Sequence, residues 1–300
     1  MKKFLFILLL TMIIMYFILN PQAAVSASQN GIMTWWNIIF PTLFPCLIIS
    51  NLLISSNILE NINDEIIIKI IIVVCGLMLG FPLGAKLTTD FYKKNYISKN
   101  EAQILCALTN NISPAYVASV VVNHTLKAPG LLIPTYFVLY FPSVLICTLL
   151  LLNNNHNRKK SASRFQLNMQ IIDAGIISGF ETLIRLCGYI TLFSVIVSII
   201  QNNLHNSKIV LYLTGFLEIT NGISALNQYS LNTFETYIMA ILFLSFGGLS
   251  FLFQTEALIH STDLSIKKYI IHKILYSIIS TALAASTDEK STKPNAAEAI

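Results

Sequence analysis

Gly80 to Val122 reads GFPLGAKLTTDFYKKNYISKNEAQILCALTNNISPAYVASVVV, and the fold depends on how this stretch is understood. Two helix-breaking patches, GFPLGAK and TNNISP, sit inside sequence otherwise apolar enough for a membrane. A backbone interrupted in lipid leaves N–H and C=O groups that no water reaches, so the interruption survives only against protein or along a cavity. Gly80, Pro82, Gly84 and Lys86 of the first patch, with Asn110, Asn111 and Ser113 of the second, are therefore candidate substrate-binding residues.

The composition around them agrees with a membrane setting. Of 300 residues, 55% are hydrophobic and 11% charged, and the mean hydropathy is +0.68, outside the pattern of soluble domains. Residues 4–59, 128–157 and 186–207 contain no Asp, Glu, Lys or Arg, and each run exceeds the roughly 20 residues that cross about 30 Å of hydrocarbon. The net charge of +5 comes largely from short loops beside apolar segments, where cations set orientation, Lys267, Lys268 and Lys273 being read with those on the inner side; nucleic-acid binding is not expected. Cys46, Cys75, Cys106, Cys147 and Cys187 have apolar neighbours and no CxxC spacing, which argues against a disulfide framework or a zinc site. The five histidines match no metal or triad spacing, and no phosphate-binding glycine loop, HExxH or GxSxG occurs. No cofactor, no metal and no catalytic residue is expected, and the chain does not read as an enzyme.

Working outward, Ile66–Leu79 is short for a crossing and suits a re-entrant half-helix. After the Gly80-Phe81-Pro82 turn the chain returns to Lys93, Lys94 and Lys99, which belong in the cytoplasm. Ile66–Tyr96 is thus expected as a hairpin that enters and leaves on the inner side. Glu101–Val122 follows as an outward crossing broken at Asn110 to Pro114, and Leu131–Leu152 as an inward span. Before them, Trp35–Ser56 reads as an inward span entered through an aromatic belt and broken by Pro41 and Pro45. Residues 1–34 read as a first helix, better retained than cleaved as a signal peptide, followed by an uncharged external loop with a short amphipathic helix. Residues 153–178 read as a cytoplasmic loop, basic at Arg158, Lys159, Lys160 and Arg164, with an interfacial helix over Phe165–Ile177.

The second half repeats this layout. Gly179–Ile200 reads as an outward span and Ile209–Gln228 as a short piece interrupted at Gly215 and Thr220-Asn221-Gly222. Phe234–Leu258 reads as a crossing broken at Ser245-Phe246-Gly247-Gly248, and Tyr269–Ala284 as a last span before a polar tail at 286–300. Matching Gly80 with Gly215, and Leu108–Ser113 with Leu244–Ser250, gives two membrane repeats, 35–152 and 179–285, of opposite orientation. The expected fold class is all-α, a polytopic membrane protein with an inverted repeat, re-entrant hairpins and broken transmembrane helices. Interrupted hydrophobic segments at corresponding positions of two halves point to a transporter site near the midplane.

Glu218 is the sole charge between Lys208 and Glu235. An ionisable group at that depth is costly and is a functional candidate by default, as a proton or cation coupling group or a gate. Thr220 and Asn221 beside it, and Ser245, Gly247, Gly248 and Gln254 around the second break, complete the candidate contacts. Lys86 either supplies countercharge to an anion, together with the half-helix N-termini after Pro82 and Pro114, or snorkels to the cytoplasm. Asn110, Asn111 and Ser113 either meet a ligand or satisfy the freed backbone. Glu181 and Arg185, spaced i,i+4, read as an ion pair.

WWNIIFPTLFPCLIISNLL, GFPLGAKL, EAQILCALTNNISPAYV and GFLEITNG together resemble the YlbJ family of sporulation integral membrane proteins, within the wider nucleoside-recognition (gate) family. The order of the motifs is more specific than any one of them, and the likeness runs from Ala23 to Glu256. The resemblance implies a protein of endospore-forming bacteria that carries dipicolinic acid across the outer, mother-cell-derived forespore membrane. It also implies a plan similar to that of concentrative nucleoside carriers. The ligand would be a small planar anion, with H+ or Na+ as a coupling ion and the bilayer as the other partner. Two further readings stay open: a nucleoside or nucleobase carrier, and a scaffold in spore assembly that transports nothing.

Overall fold

The computed structural model describes residues 2–58, 65–152, 165–204 and 207–286. Glu60, Asp64, the basic cluster Arg158, Lys159, Lys160 and Arg164, residues 205–206 and the tail beyond Ser286 lie outside the described residues. Among the described residues there is no strand. Helix α1 (Lys2–Leu19) precedes α2 (Pro21–Thr34), which runs through a π-helical turn at Trp35–Ile39 into α3 (Phe40–Ser55). Helices α4 (Glu65–Leu79) and α5 (Leu83–Lys93) form a first hairpin. A first broken crossing follows, made of α6 (Lys99–Thr109) and α7 (Pro114–Tyr116), the latter extended by a π-helical stretch over Val117–Leu126; α8 (Leu132–Leu152) closes the half.

The second half has the same order. Helix α9 (Met169–Asn203) is followed by a hairpin of α10 (Lys208–Leu217) and α11 (Ile219–Ala225). The broken crossing α12 (Thr233–Phe246) and α13 (Gly248–Ile259) and the closing helix α14 (Ile266–Ala285) complete it. Among the described residues, five helical runs are long and apolar enough to cross a membrane: Pro21–Ser55, Lys99–Leu126, Pro129–Leu150, Met169–Asn203 and Thr233–Ile259. The chain is an integral, multi-pass helical membrane protein.

Each interruption has a local cause. Gly80 sits at φ +77°, and a Cβ there would lie 2.6 Å from the Ser113 amide, so glycine is what lets the hairpin tip touch the broken crossing. Asn110 to Ser113 leave the helix ahead of Pro114, which lacks an N–H and disfavours helical geometry in the residue before it. Ser113 then caps the next turn, its hydroxyl accepting from Tyr116 N at 3.3 Å. Neighbouring elements satisfy the freed carbonyls, as lipid burial demands. Phe81 N donates to Asn111 O (2.6 Å), Tyr140 Oη to Ile112 O (2.7 Å) and Tyr136 Oη to Pro114 O (2.9 Å). In the second half Glu218 is itself the interruption, extended at φ −147°, and it caps α11 by accepting from Asn221 N at 2.8 Å. Gly247 and Gly248, at φ +86° and +76°, end α12 in the left-handed conformation.

The two halves share chemistry as well as order. Both α6 and α12 open with a capping box, Ser98 with Glu101 and Asn232 with Glu235. In each, that glutamate also pairs with a lysine from the first arm of the hairpin, Lys69 to Glu101 and Lys208 to Glu235. Helices α2 and α3 run antiparallel to α9: Gly175 lies near Leu52, Gly179 near Leu47 and Gly31 against Thr191. At the α3 C-terminal end, Lys94 reaches Ile54 O and Lys99 reaches Asp263 after α13. Lys208 and Glu235 follow the C-terminal end of α9 and so sit at the opposite end of the molecule.

Five expectations need correction. Residues 21–34 hold the helix expected there, but it is no separate element of a loop: Pro21 occupies the first turn of α2, where its missing N–H costs nothing, and the helix continues into the span, packed on α9. Pro41 and Pro45 do not break that span, because Pro41 lies in the first turn of α3 and the π-helical turn before it absorbs the irregularity. No separate interfacial helix covers Phe165–Ile177; helix begins at Met169, capped by Asn168, and runs unbroken to Asn203. The second hairpin turns at Glu218 and not at Gly215 or Thr220-Asn221-Gly222, so Glu218 is the counterpart of Gly80. Gly215 and Gly222 are helical and permit close packing, Gly215 on the Phe243 ring and Gly222 on the Gly215 backbone. Likewise Ser245 and Phe246 belong to α12, and the break is confined to Gly247-Gly248.

Candidate functional site

The hairpin tips and the broken crossings converge. Ala85 N donates to Asn110 Oδ1 (3.2 Å) and Asn110 Nδ2 to Thr255 Oγ1 (3.1 Å), which ties the first hairpin and the first break to α13 of the second half. Gly248 faces the carbonyls of Gly215, Phe216 and Leu217 at the end of α10. Across the divide, the Phe81 and Phe251 rings stack with centroids 3.6 Å apart and planes at 13°.

Beside this stack lies a cavity with about 80 Å³ of room for water-sized groups. Phe81, Ser113 and Tyr116 line it from the first half and Glu218, Thr220, Phe251 and Gln254 from the second; Thr42 and apolar residues of α3 and α9 complete the wall. Glu218 is fully buried. Its Oε2 accepts from Thr220 Oγ1 (2.5 Å) and Asn221 N (2.8 Å), whereas Oε1 has no hydrogen-bond partner among the described residues. Gln254, 3% exposed, donates from Nε2 to Ser250 Oγ at 2.8 Å and leaves its Oε1 likewise unpartnered.

The candidate residues divide into four groups. Ser113, Glu218, Thr220 and Gln254 are on the cavity wall. Gly80, Gly84, Gly247 and Gly248 shape it by close backbone approach, Gly84 against Thr109. The side chains of Asn110 and Asn111 are committed elsewhere. Asn110 holds Ala85 N, Thr255 and Tyr269; Asn111 holds Leu108 O, Ser143 and the Lys273 ammonium (2.6 Å). Ser245 donates back to Ile241 O, and Asn221 Nδ2 to Ser194.

Lys86 and Pro82 are off the wall. Gln254 and Leu186 also border a smaller cavity containing Pro82 and Arg185, and Arg185 in turn borders a polar one with Lys86, Asp90, Lys93 and Glu181. Lys86 is paired there with Asp90 at 3.0 Å. Glu181 and Arg185 do not form the expected ion pair; both are exposed in that cavity, where solvent makes such a pair worth little.

Reading the sequence missed Phe81, Tyr116 and Phe251, although Phe81 stands inside GFPLGAK, where only Gly, Pro and Lys attracted notice. It also placed Lys273 at the cytoplasmic surface. That lysine is 1% exposed, beneath the first break and 5.2 Å from the Tyr276 ring centre. The available signal was the spacing Tyr269, Lys273, Tyr276, Ser280, Ala284, a single buried face of α14. Outside the membrane, Asp263 is held below the usual carboxylate range, first by Lys99 and then by the Tyr92 hydroxyl.

A Bacillus subtilis (strain 168) protein described as "Sporulation integral membrane protein YlbJ" is 24% identical over 316 aligned positions, covering 86% of this chain and 76% of the relative. The chain is similar to this membrane protein over most of its length. No family model and no solved structure matches it. The aligned share is large enough to take in both halves of the chain in part, since 86% exceeds the extent of either half alone.

Proposed function

We propose that the protein is a carrier that moves a small molecule across a membrane by alternating access between two inverted repeats. The observation that carries this reading is the meeting of both hairpin tips, the first break and the start of α13 after the second break around one cavity with a buried carboxylate on its wall. Equivalent helices run in opposite directions and both broken crossings start with the same capping box and lysine partner, which favours an inverted repeat over a chance likeness. Such repeats build a substrate site near the midplane and rock around it.

The resemblance to the YlbJ family makes dipicolinate the first substrate to test and the outer forespore membrane of a sporulating cell the expected location. A planar dicarboxylate fits a cavity with phenyl faces on its wall. Because Glu218 repels an anion unless a positive charge accompanies it, the carrier would couple to H+ or Na+. The wall shows no convergence of acid, base and nucleophile, so an enzymatic role is not proposed. A nucleobase carrier is the second reading, favoured by the two unpartnered acceptor oxygens, which suit ring N–H donors. Uptake of labelled dipicolinate and labelled uridine into liposomes holding the purified chain separates the two. Dipicolinate uptake is expected; uridine uptake alone selects the second reading, and uptake of neither returns the protein to a scaffolding role.

A further inference from the structure

The charged and amide groups of the cavity are one-sided. Thr42 Oγ1 donates to Ile38 O (2.7 Å), Ser119 Oγ to Ala115 O (2.7 Å) and Thr220 Oγ1 to Glu218, so these hydroxyls have spent their hydrogens; Ser113 Oγ, which accepts from Tyr116 N, and the Tyr116 phenol are the hydroxyl donors left on the wall. Glu218 Oε1 and Gln254 Oε1 are acceptors, buried and without partners among the described residues. Among the described residues no Lys, Arg or His lines the cavity, and Tyr116 is the only other titratable side chain on its wall. The cations nearest in the fold are engaged or outside it. Lys273 bonds Asn111, Lys69 pairs with Glu101, Lys208 with Glu235 and Lys86 with Asp90, while Arg185 lies in the adjoining cavity beyond Gln254.

A buried acceptor left unpaired costs about 1–3 kcal/mol, more for a charged group, so a ligand that supplies a donor is bound preferentially, and the Glu218 carboxylate repels a fully ionised anion. We propose that the cavity accepts a planar dicarboxylate only with one added proton, held between a ligand carboxylate and Glu218 Oε1; a ligand with a further N–H donor would place it on Gln254 Oε1. The specificity is for the donor-bearing form of the ligand, and this rests on the carrier reading above. No bond other than the hydrogen bond forms; one proton enters with the ligand and leaves with it.

The test is binding of pyridine-2,6-dicarboxylate and of its diamide, which carries N–H donors on the same ring, to the purified full chain by calorimetry between about pH 5.5 and 8.5. Uptake of one proton predicts that dicarboxylate affinity falls about tenfold per pH unit once ligand and Glu218 are both ionised, that buffers of different ionisation enthalpy report one proton bound, and that the diamide binds without pH dependence. In Glu218→Gln, whose amide can donate, the dicarboxylate loses its pH dependence and binds more tightly than wild type at the alkaline end. Dicarboxylate affinity that ignores pH, or that follows sodium concentration in its place, overturns the proposal. So does a diamide that fails where the dicarboxylate binds. If neither compound binds at any pH, the planar-dicarboxylate reading itself is wrong and this proposal falls with it. The wild-type comparison stands even if the variant does not fold.

Discussion

At the first break, Asn110 and Asn111 spend both amide hydrogens and the amide oxygen on the protein, and three donors from other elements meet the freed carbonyls. At the second hairpin tip, Glu218 offers one carboxylate oxygen to the helix it caps and leaves the other bare toward the cavity. One is the break of a crossing and the other the tip of a hairpin, and while both interrupt a helix, the first is closed polar architecture and the second is unfinished. Polar groups at a membrane interruption thus answer two separate demands, satisfying the backbone and meeting a ligand, and residue type does not distinguish them. A bare acceptor does.

Substitutions can break or sharpen that contrast. The largest effect is expected from Gly80→Val, which combines a positive φ with contact on the Ser113 backbone. A loss of about 3 kcal/mol or more should appear as a collapsed thermal transition in detergent, whereas Gly130→Val, with nothing near its Cβ position, should melt like the wild type. Next is Asn111→Leu, which strips the Lys273 ammonium of its acceptor and should cost about 3–5 kcal/mol. Adding Lys273→Met should recover much of that loss in a double-mutant cycle.

The paired lysines offer a comparison at smaller scale. Lys69 is 1% exposed and Lys208 58% exposed in otherwise equivalent ion pairs. Lys69→Met should destabilise by several kcal/mol, because it leaves Glu101 uncompensated, and Lys208→Met by about 1 kcal/mol or less. The smallest effect belongs to Asp263. Its carboxyl is held low in the folded protein, so its contribution is complete above the unfolded value of about 3.9 and fades as pH falls through the lower folded one. Asp263→Asn should therefore lower the melting temperature slightly at pH 7 and not at all in strong acid.

The layout was legible where composition forces a choice. A half-helix too short to cross, an NNISP break and a glycine-proline turn inside apolar sequence have few alternatives in lipid, and Ile66–Leu79 and Asn110–Pro114 fold as read. Uncharged stretches are ambiguous, since the same letters suit an outer loop and a buried helix; residues 21–34 hold the expected helix, but as part of the span and not of a loop. Charge counted along the chain misled at Lys273, because a lysine near Lys267 and Lys268 resembles a loop residue until the helical period of α14 is drawn. Gly215 drew attention from Glu218 because glycine signals both a turn and close packing, and here it serves packing on Phe243.

The central claim is that ligand sits between the two halves, against Glu218. A map of the full chain with pyridine-2,6-dicarboxylate at acid pH, detailed enough to show a planar ring, tests it most directly. Density bounded by Phe81, Tyr116, Glu218 and Gln254 is the predicted result. Density confined to the polar cavity beside Lys86 and Arg185, with none against Glu218, would contradict it.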